Sequence, residues 1–591
     1  MKSKYIWNLG LLYKSPEDPK IEEDIKKIER ASNTFAQKYN VDSKNYISDN
    51  TLLLQALEEY EKLMLLNYES RPITYFSCLR DIDAKSVVAV SKLSLLQDRL
   101  TKANNQVLFF ELTLGLIDEN RQEDILKNQS FAKYRYFLDV IFNNAKYDLS
   151  LPEEKILKLK SLPAYDMWIT MNQRILNNVE VKWKGKNIPF STAFSKSLSL
   201  PKSKDRMELS SKINEALKVV APVAEAEINA VVTSKKINDE LRGYKTPEEA
   251  TILRYQNKPE TINSLVESVS SNYHIAHKFY SLKAKILKEK RLNYCDRGIP
   301  IGKIKRKFDF KQSFDILEKV FGDIKPAYAD ILKSYVNKGQ IDSHSRVGKQ
   351  SGAYCRSSYE EPTYILLNHE DNLRSFKTFA HEMGHAFHTV HSRAQGPLYV
   401  SYSIALAETA STLFESLALE YVMKNLTPKE KKIVLHDKIN SEISTIFRQI
   451  ACFNYEKDIH EAIRRKGYIS KEELMDMHNK RMSEYLGPKF KLNRDDGDMF
   501  ISWSHIRRFF YVYSYAFGLL ISKVLLKRYR IDKNFWSSIE IFLSAGGKDS
   551  PENIMKEIGI DITKPDFWLE GLKEIDSDIE KLEKLIVDKN N

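Results

Sequence analysis

The sequence predicts a mainly α-helical protein with one small β-sheet beside the helix that carries its most informative motif. Apolar residues recur every three or four positions along much of the chain, which is the spacing of an amphipathic helix. The clearest examples are residues 50–66 and 567–587. Only 20 glycines and 18 prolines occur in 591 residues, which argues against an all-β fold rich in tight turns.

Two short segments have the chemistry of strands instead. Residues 179–184 alternate apolar and charged side chains and run into a turn at Gly185. Residues 354–367 end in the β-prone run 363–367 and directly precede the helix that carries the motif. We therefore expect the second segment to form the small sheet.

The length of the chain allows more than one domain. We place a boundary near residue 190, between an N-terminal helical lobe (1–190) and a larger domain (191–591). The four cysteines are far apart and form no CxxC motif, which argues against a disulfide framework and against a thiolate zinc site. They suit a reducing compartment. These cysteines are Cys78, Cys295, Cys355 and Cys452.

The charged residues carry a net charge of +12, with a pI near 9.0. Both signs are interleaved, as in residues 22–30, so we expect solvated helix faces and no nucleic-acid partner. The most apolar segment, residues 509–526, contains Lys523, and we expect a core helix there rather than a membrane span. The N-terminus is too polar for a secretory signal, so we expect a cytoplasmic protein.

The most informative motif is an HExxH sequence formed by His381, Glu382 and His385. Two histidines four positions apart face the same side of a helix, where they can bind one Zn²⁺ together. The glutamate is rotated by roughly 100° around the helix axis, so it misses direct ligation. It is therefore placed to act as a base on a metal-bound water.

This motif lies on a predicted helix over about residues 372–392. Asp371 or Asn372 can cap its N-terminus, and Gly396 lies beyond its end. An apolar stripe would anchor the helix in the core and give a metal site rigid support. The stripe consists of Leu373, Phe376, Ala380 and Phe387.

A catalytic zinc site needs a third protein ligand and leaves the fourth position to water. His391 is one candidate, because it lies ten residues after the first histidine, as in HExxHxxGxxH proteases. Those proteases turn the chain at a glycine, whereas this sequence has His388 at that position. On a continuing helix His391 would lie almost two turns past His385, too far to join the site.

The second candidate is Glu408, on an amphipathic helix that follows after a loop. It shares a polar face with Ser411, Thr412 and Glu415, and buried carboxylates need a compensating charge, which a metal supplies. We therefore favour Glu408 as the third ligand of a single Zn²⁺. Glu415 or Ser411 would then orient one of the histidines.

These residues resemble the oligoendopeptidase F and thimet oligopeptidase family of zinc metallopeptidases. HEMGHAFH, followed by ALAETAS, carries the resemblance, and further segments agree along nearly the whole chain. The further segments are WNL near the start, GKQSGAYC at 348–355, YILLN at 364–368, FYVYSYAFG at 510–518 and FW at 567–568. The similarity is closest to the oligoendopeptidase F branch.

The resemblance implies a two-lobed helical clamshell, with the metal deep in a channel that admits short peptides and excludes folded proteins. It implies that His381, His385 and Glu408 bind zinc and that Glu382 is the catalytic base. The catalytic metallopeptidase domain would then be residues 191–591.

The resemblance also implies that a downstream histidine and tyrosine stabilise the oxyanion of the transition state. His505, Tyr511, Tyr513 and Tyr515 supply such groups in this sequence, and we take His505, Tyr513 and Tyr515 as catalytic candidates. Tyr513 and Tyr515 point about 200° apart on one helix, so they cannot both face the metal.

We therefore expect a zinc-dependent endopeptidase that hydrolyses internal bonds of short oligopeptides. The strand-like segment 354–367 would hydrogen-bond the substrate backbone by strand addition. One alternative is a zinc aminopeptidase or carboxypeptidase on a similar helix, although no GxMEN exopeptidase motif precedes the HExxH sequence. Another is an inactive peptide-binding homologue, although the base and all the proposed ligands are present.

Overall fold

Helices form most of the protein, as the sequence predicts. The structure is a computed structural model that describes residues 5–41, 44–68, 70–357, 359 and 362–587. The first helices are α1 (Pro19–Tyr39), α2 (Asn50–Tyr68), α3 (Arg71–Ile82), α4 (Val87–Asn105), α5 (Phe109–Gly115), α6 (Glu119–Lys127), α7 (Arg135–Ala145), α8 (Leu151–Ser161), α9 (Met167–Asn177), α10 (Phe190–Ser197), α11 (Ser203–Leu217), α12 (Ala221–Arg242) and α13 (Glu249–Arg254). The later helices are α14 (Pro259–Ser270), α15 (His274–Leu287), α16 (Phe310–Ile324), α17 (Pro326–Asn337), α18 (Leu373–Ser392), α19 (Ile404–Lys424), α20 (Pro428–Thr445), α21 (Phe447–Lys466), α22 (Lys471–Leu486), α23 (Tyr513–Ile531), α24 (Trp536–Ser544), α25 (Pro551–Glu557) and α26 (Pro565–Val587).

Capping residues explain where several of these helices begin and end. Asp18 caps α1, and Pro19 occupies its first turn, where a missing N–H costs nothing. Thr427 and Glu430 form a reciprocal capping box at the start of α20. Gly243 ends α12 with a left-handed φ of 80°, a conformation that glycine adopts without strain.

The strongly periodic segments are helical as predicted. Residues 50–66 lie in α2, residues 567–587 lie in α26, and the HExxH helix predicted over about 372–392 is α18. Amphipathic spacing is therefore a sufficient guide to these elements, since each buries one apolar stripe.

The apolar segment 509–526 is also a core helix, but it begins later than its composition predicts. Phe509 and Phe510 have left-handed φ values of 49° and 62°, so α23 starts only at Tyr513. Lys523 is buried in this helix and paired with a carboxylate. Among the helices of the described chain, none combines the length and apolar character that a bilayer span requires.

The strands form one three-stranded sheet and two smaller pairs. They are β1 (Glu180–Trp183), β2 (Lys186–Pro189), β3 (Leu292–Asn293), β4 (Ile341–His344), β5 (Tyr354–Arg356), β6 (Tyr364–His369) and β7 (Phe490–Lys491). β1 is the strand predicted at 179–184, and the predicted turn at Gly185 connects it to an antiparallel partner, β2. In the larger sheet the order is β4-β6-β5, with β4 parallel and β5 antiparallel to β6. Residues 354–367 thus contain two strands rather than one, and β5 lies at an edge.

Apolar cores hold these elements together. The largest core contains the inner faces of α18, α19, α23 and α26. A second core has its buried residues within 35–142. A third joins the N-terminal segment to the sheet, because Trp7 packs on Tyr364 and its indole N–H donates to the carbonyl of Ile365 at 2.9 Å. The domain boundary near residue 190 stays a prediction.

Candidate active site

Helix α18 is fixed in the core by its cap and its apolar face. The Asn372 side chain accepts a hydrogen bond from the Ser375 N–H at 2.9 Å, so Asn372 rather than Asp371 is the capping residue. Phe379 stacks on Phe310 with ring centres 5.0 Å apart. The buried face comprises Phe376, Phe379, Ala380, Met383 and Phe387. The HExxH motif therefore lies on a rigid support, as a metal site requires.

Two glycines let neighbouring helices approach α19 closely on both sides. A Cβ atom on Gly384 of α18 would lie 2.6 Å from the Cα of Ser411, and one on Gly518 of α23 would lie 3.0 Å from the Cβ of Glu408. A side chain at Gly384 would collide with backbone, so the spacing of α18 and α19 requires glycine there. Helix α19 is held between α18 and α23, with Glu408 at the contact.

His381, His385 and Glu408 converge as a possible metal site. One ligand atom from each lies within 4.8 Å of the other two. The His381 Nε2 is 3.4 Å from Oε2 of Glu408, and the His385 Nε2 is 4.0 Å from its Oε1. Ligands at about 2.0–2.1 Å from a tetrahedral Zn²⁺ are roughly 3.3 Å apart. Two imidazoles and one carboxylate at these separations therefore fit zinc.

An outer ion pair orients His381. Its Nδ1 is 3.2 Å from Oε2 of Glu415, and the Lys377 Nζ is 2.8 Å from Oε1 of the same carboxylate. Burial opposes the ionisation of Glu415, but Lys377 and His381 outweigh it and lower its pKa to about 2. A carboxylate at Nδ1 leaves Nε2 to the metal. Whereas Glu415 contacts a histidine, Ser411 contacts the proposed carboxylate ligand: its hydroxyl donates to Oε2 of Glu408 at 3.2 Å.

Glu382 lies next to the cluster as a buried carboxylate. It is 5% exposed, and its Oε2 has no hydrogen-bond partner within the described chain. Burial raises its pKa to about 7; His381 opposes the rise and Glu408 adds to it. Cys355 in β5 lies close to this carboxylate, and its backbone N–H favours the ionised form. A carboxyl group with a pKa near neutrality can both accept and return a proton.

His391 lies apart from the cluster. Its Nδ1 is 3.3 Å from the Ser544 hydroxyl. The neighbouring His388 is buried and stacks on Tyr402, with ring centres 3.6 Å apart. Neither histidine belongs to the possible metal-binding group found among the described residues. Of the two candidates for the third ligand, the geometry favours Glu408.

His505 belongs to a chain of polar groups at the start of α23. Its Nδ1 is 2.5 Å from the Tyr511 hydroxyl, which is 3.5 Å from the Tyr515 hydroxyl. Burial, with help from two arginines, lowers the pKa of His505 to about 4, so its imidazole is neutral near pH 7. Tyr515 lies one turn before Gly518 and hence on the side of α23 that faces Glu408.

Tyr513 is not accessible to a substrate. It is fully buried, and its hydroxyl donates to the side-chain oxygen of Asn257 at 2.9 Å. It is rotated by roughly 140° from Gly518, which explains why it points away from α19. The expectation that Tyr513 stabilises an oxyanion is thus corrected, and Tyr515 and His505 remain as candidates.

Three residues that shape the site have weak signatures in the sequence. Lys377 lies four residues before the first motif histidine, a spacing that places both on one helix face. Gly384 lies inside a helix, where glycine costs roughly 1 kcal/mol relative to alanine and so implies a packing reason. The role of Gly518 can be recognised only from the packing of α23 against α19.

A helical protein that brings an HExxH pair together with a carboxylate from the following helix has the architecture of a metallopeptidase. The sequence profile of peptidase family M3 matches residues 198–574, and that of oligopeptidase F matches residues 114–180. The chain belongs to peptidase family M3, which confirms the resemblance seen in its motifs. Members of this family are peptidases, and the chain is a metallo-oligopeptidase.

Relatives match almost the whole chain. An oligoendopeptidase F homolog of Borreliella burgdorferi is 26% identical over 574 residues, 94% of each chain. The group B oligopeptidase PepB of Streptococcus agalactiae is 24% identical over 610 residues, covering 99% of this chain and 98% of that protein.

Solved structures share the fold. A Chlamydophila abortus protein superimposes with a TM-score of 0.84 at 21% identity over 98% of both chains. Oligoendopeptidase-F of Enterococcus faecium gives 0.70 at 18% identity over 96% of this chain and 99% of that one. The mainly helical fold is therefore the one seen in oligoendopeptidase F structures.

Proposed function

We propose that this protein is a zinc-dependent endopeptidase that hydrolyses internal peptide bonds of short oligopeptides. The observation that carries the proposal is the convergence of His381, His385 and Glu408 within 4.8 Å. Beside them lies the buried carboxylate of Glu382, whose Oε2 lacks a protein partner in the described chain. A base next to a complete set of zinc ligands is the arrangement that hydrolysis of a peptide bond needs.

The chain's own residues would divide the work of the reaction. Zinc held by the three ligands would supply a Lewis acid and make water more acidic. Glu382 accepts the proton of the attacking water and later returns it to the leaving amine. Tyr515 or His505 donates a hydrogen bond to the carbonyl oxygen as that oxygen becomes negative. Lys377, through Glu415, keeps His381 in its binding orientation.

The edge strand β5 supplies the means of holding a peptide. An extended substrate can add to this edge through backbone hydrogen bonds, which select peptides without selecting their sequence. Cys355 of this strand lies close to Glu382, so β5 runs beside the proposed base. This arrangement supports internal cleavage of varied peptides.

All four cysteines are unpaired, which supports a cytoplasmic location.

The proposal is tested with a peptide library whose members carry N-acetyl groups, with cleavage sites mapped by mass spectrometry. We expect internal cleavage that a chelator abolishes and that zinc restores. Glu382→Gln should keep its zinc and lose about 10³-fold in kcat, because only the base is removed. An enzyme that requires a free N-terminus would instead be an aminopeptidase, and a Glu382→Gln variant with normal kcat would refute the role of the base.

A further inference from the structure

A pocket of ≈ 330 Å³ lies beside the motif helix and outside the proposed metal site. Its walls come from the loop before β5, the end of β6 and the first turns of α18. The residues that line it are Gly352, Ala353, Leu367, Asn368, His369, Glu370, Arg374, Ser375 and Thr378. Arg374 and Thr378 lie seven and three residues before His381, so they continue the face of α18 that carries the metal ligands.

The direction of β5 along α18 can be read from three contacts. At its start, Gly352 and Ala353 share the pocket with Arg374. In its middle, Cys355 lies beside Glu382. After its end, the Ser357 hydroxyl lies 2.6 Å from that of Thr389. β5 therefore runs parallel to α18, from the pocket past the proposed site.

This direction fixes the polarity of a bound peptide. A substrate that adds antiparallel to the β5 edge runs opposite to α18, so its C-terminal part lies in the pocket and its N-terminal part lies toward Thr389. The entrance is open there, since a Cβ atom on Gly352 would meet nothing within 4 Å. The Asn368 amide donates to the carbonyls of Gln350 and Gly352, at 2.9 and 2.7 Å, and holds this loop in place.

The pocket contains a cation that the fold does not use. The Arg374 guanidinium forms no hydrogen bond or ion pair with the described residues, although Lys377, one turn along the helix, is paired with Glu415. The first turn of α18 adds the partial positive charge of a helix N-terminus. Glu370 also lines the pocket, yet it is not paired with Arg374 in the described chain. A carboxylate of a ligand is the natural partner of such a free guanidinium.

We infer that this pocket receives the C-terminal part of the substrate and that Arg374 binds a substrate carboxylate, in the first instance the free C-terminus. This inference rests on the proposed function. Seven helical residues separate Arg374 from His381 by about 10 Å. An extended peptide covers about 3.3 Å per residue. The carboxylate would thus belong to the residue about three positions after the cleaved bond, and the enzyme would release short C-terminal fragments.

Three versions of one peptide test the inference: a free acid, its C-terminal amide, and the amide with glutamate at the third position after the cut. Wild-type enzyme should cleave the free acid with a kcat/KM about tenfold above that of the amide, mostly through KM, because one charge-assisted hydrogen bond is lost. In Arg374→Gln the ratio should fall to about one. If wild-type enzyme cleaves the glutamate peptide faster than the plain amide and Arg374→Gln does not, Arg374 also binds a side-chain carboxylate.

Controls separate this inference from the proposed function. Arg291 is exposed and lies outside the pocket, so Arg291→Gln should keep the wild-type ratio. If wild-type enzyme cleaves acid and amide equally, or if Arg374→Gln leaves their ratio unchanged, the carboxylate site is refuted while the peptidase stands. If no peptide is cut in a chelator-sensitive reaction, the proposed function itself fails.

Discussion

The helix pair α18–α19 and the segment 503–515 contribute to the same candidate site in different ways. In the helix pair, the sequence spacing of His381 and His385 already specifies their common direction, because one regular helix carries both. In the segment, irregular backbone precedes the helix, and two consecutive residues, Phe509 and Phe510, have left-handed φ values. Periodicity therefore predicts a site only as far as the regular element extends.

The largest expected effect concerns Glu408, the proposed third ligand, because it lies on α19 and not on the HExxH helix. We expect Glu408→Ala to lose its zinc and at least about 10³-fold of its activity, because two imidazoles alone hold zinc weakly. His391→Ala should keep both, since its ring lies near Ser544 instead. Metal analysis of the purified variants measures this directly.

A folding control accompanies that experiment. Both variants should show the circular dichroism spectrum of a helical protein, so that metal loss cannot be attributed to unfolding. If His391→Ala lost its zinc and Glu408→Ala kept it, His391 rather than Glu408 would be the third ligand.

The two tyrosines in the first turn of α23, directly after the irregular backbone, provide the next largest effect. Tyr515→Phe should lower kcat by about 10²-fold while leaving zinc bound, because it removes one donor to the oxyanion. Tyr513→Phe should keep kcat within about twofold. It should instead lower the free energy of unfolding by about 1–2 kcal/mol, because Asn257 loses its buried partner. Steady-state kinetics and urea denaturation of both variants separate the two roles.

A reversed result would be informative. If Tyr513→Phe were the slow enzyme and Tyr515→Phe the unstable one, α23 would have to rotate on substrate binding, and the packing of Gly518 against Glu408 would not persist in the working enzyme.

The difference between the two regions also explains what the sequence can predict. The HExxH helix, its apolar stripe and the direction of His381 and His385 follow from local spacing, and the structure has all three. The choice of Asn372 over Asp371 as the cap depends on backbone geometry that spacing does not contain.

Sequence spacing does not predict the contacts between helices. Tyr513 and Tyr515 are equally good phenols, and only the packing of Gly518 on α19 decides which of them faces Glu408. Likewise, a glutamate such as Glu415 is an ordinary helix residue until the fold brings it to the histidine Nδ1. Long-range packing therefore supplies what periodicity leaves open.

The smallest effect that we predict concerns the contact between the Glu415 carboxylate and Nδ1 of His381. Glu415→Gln should weaken zinc binding by about 10- to 100-fold, because the neutral amide no longer holds the tautomer and orientation of His381. At saturating zinc most of the activity should return, since the ligands themselves are intact. Zinc competition with a chromophoric chelator measures the affinity. Glu420→Gln is the matched control, because this glutamate lies on the same helix but pairs with Arg530; equal zinc affinity in the two variants would show that the Lys377–Glu415 pair only stabilises the fold.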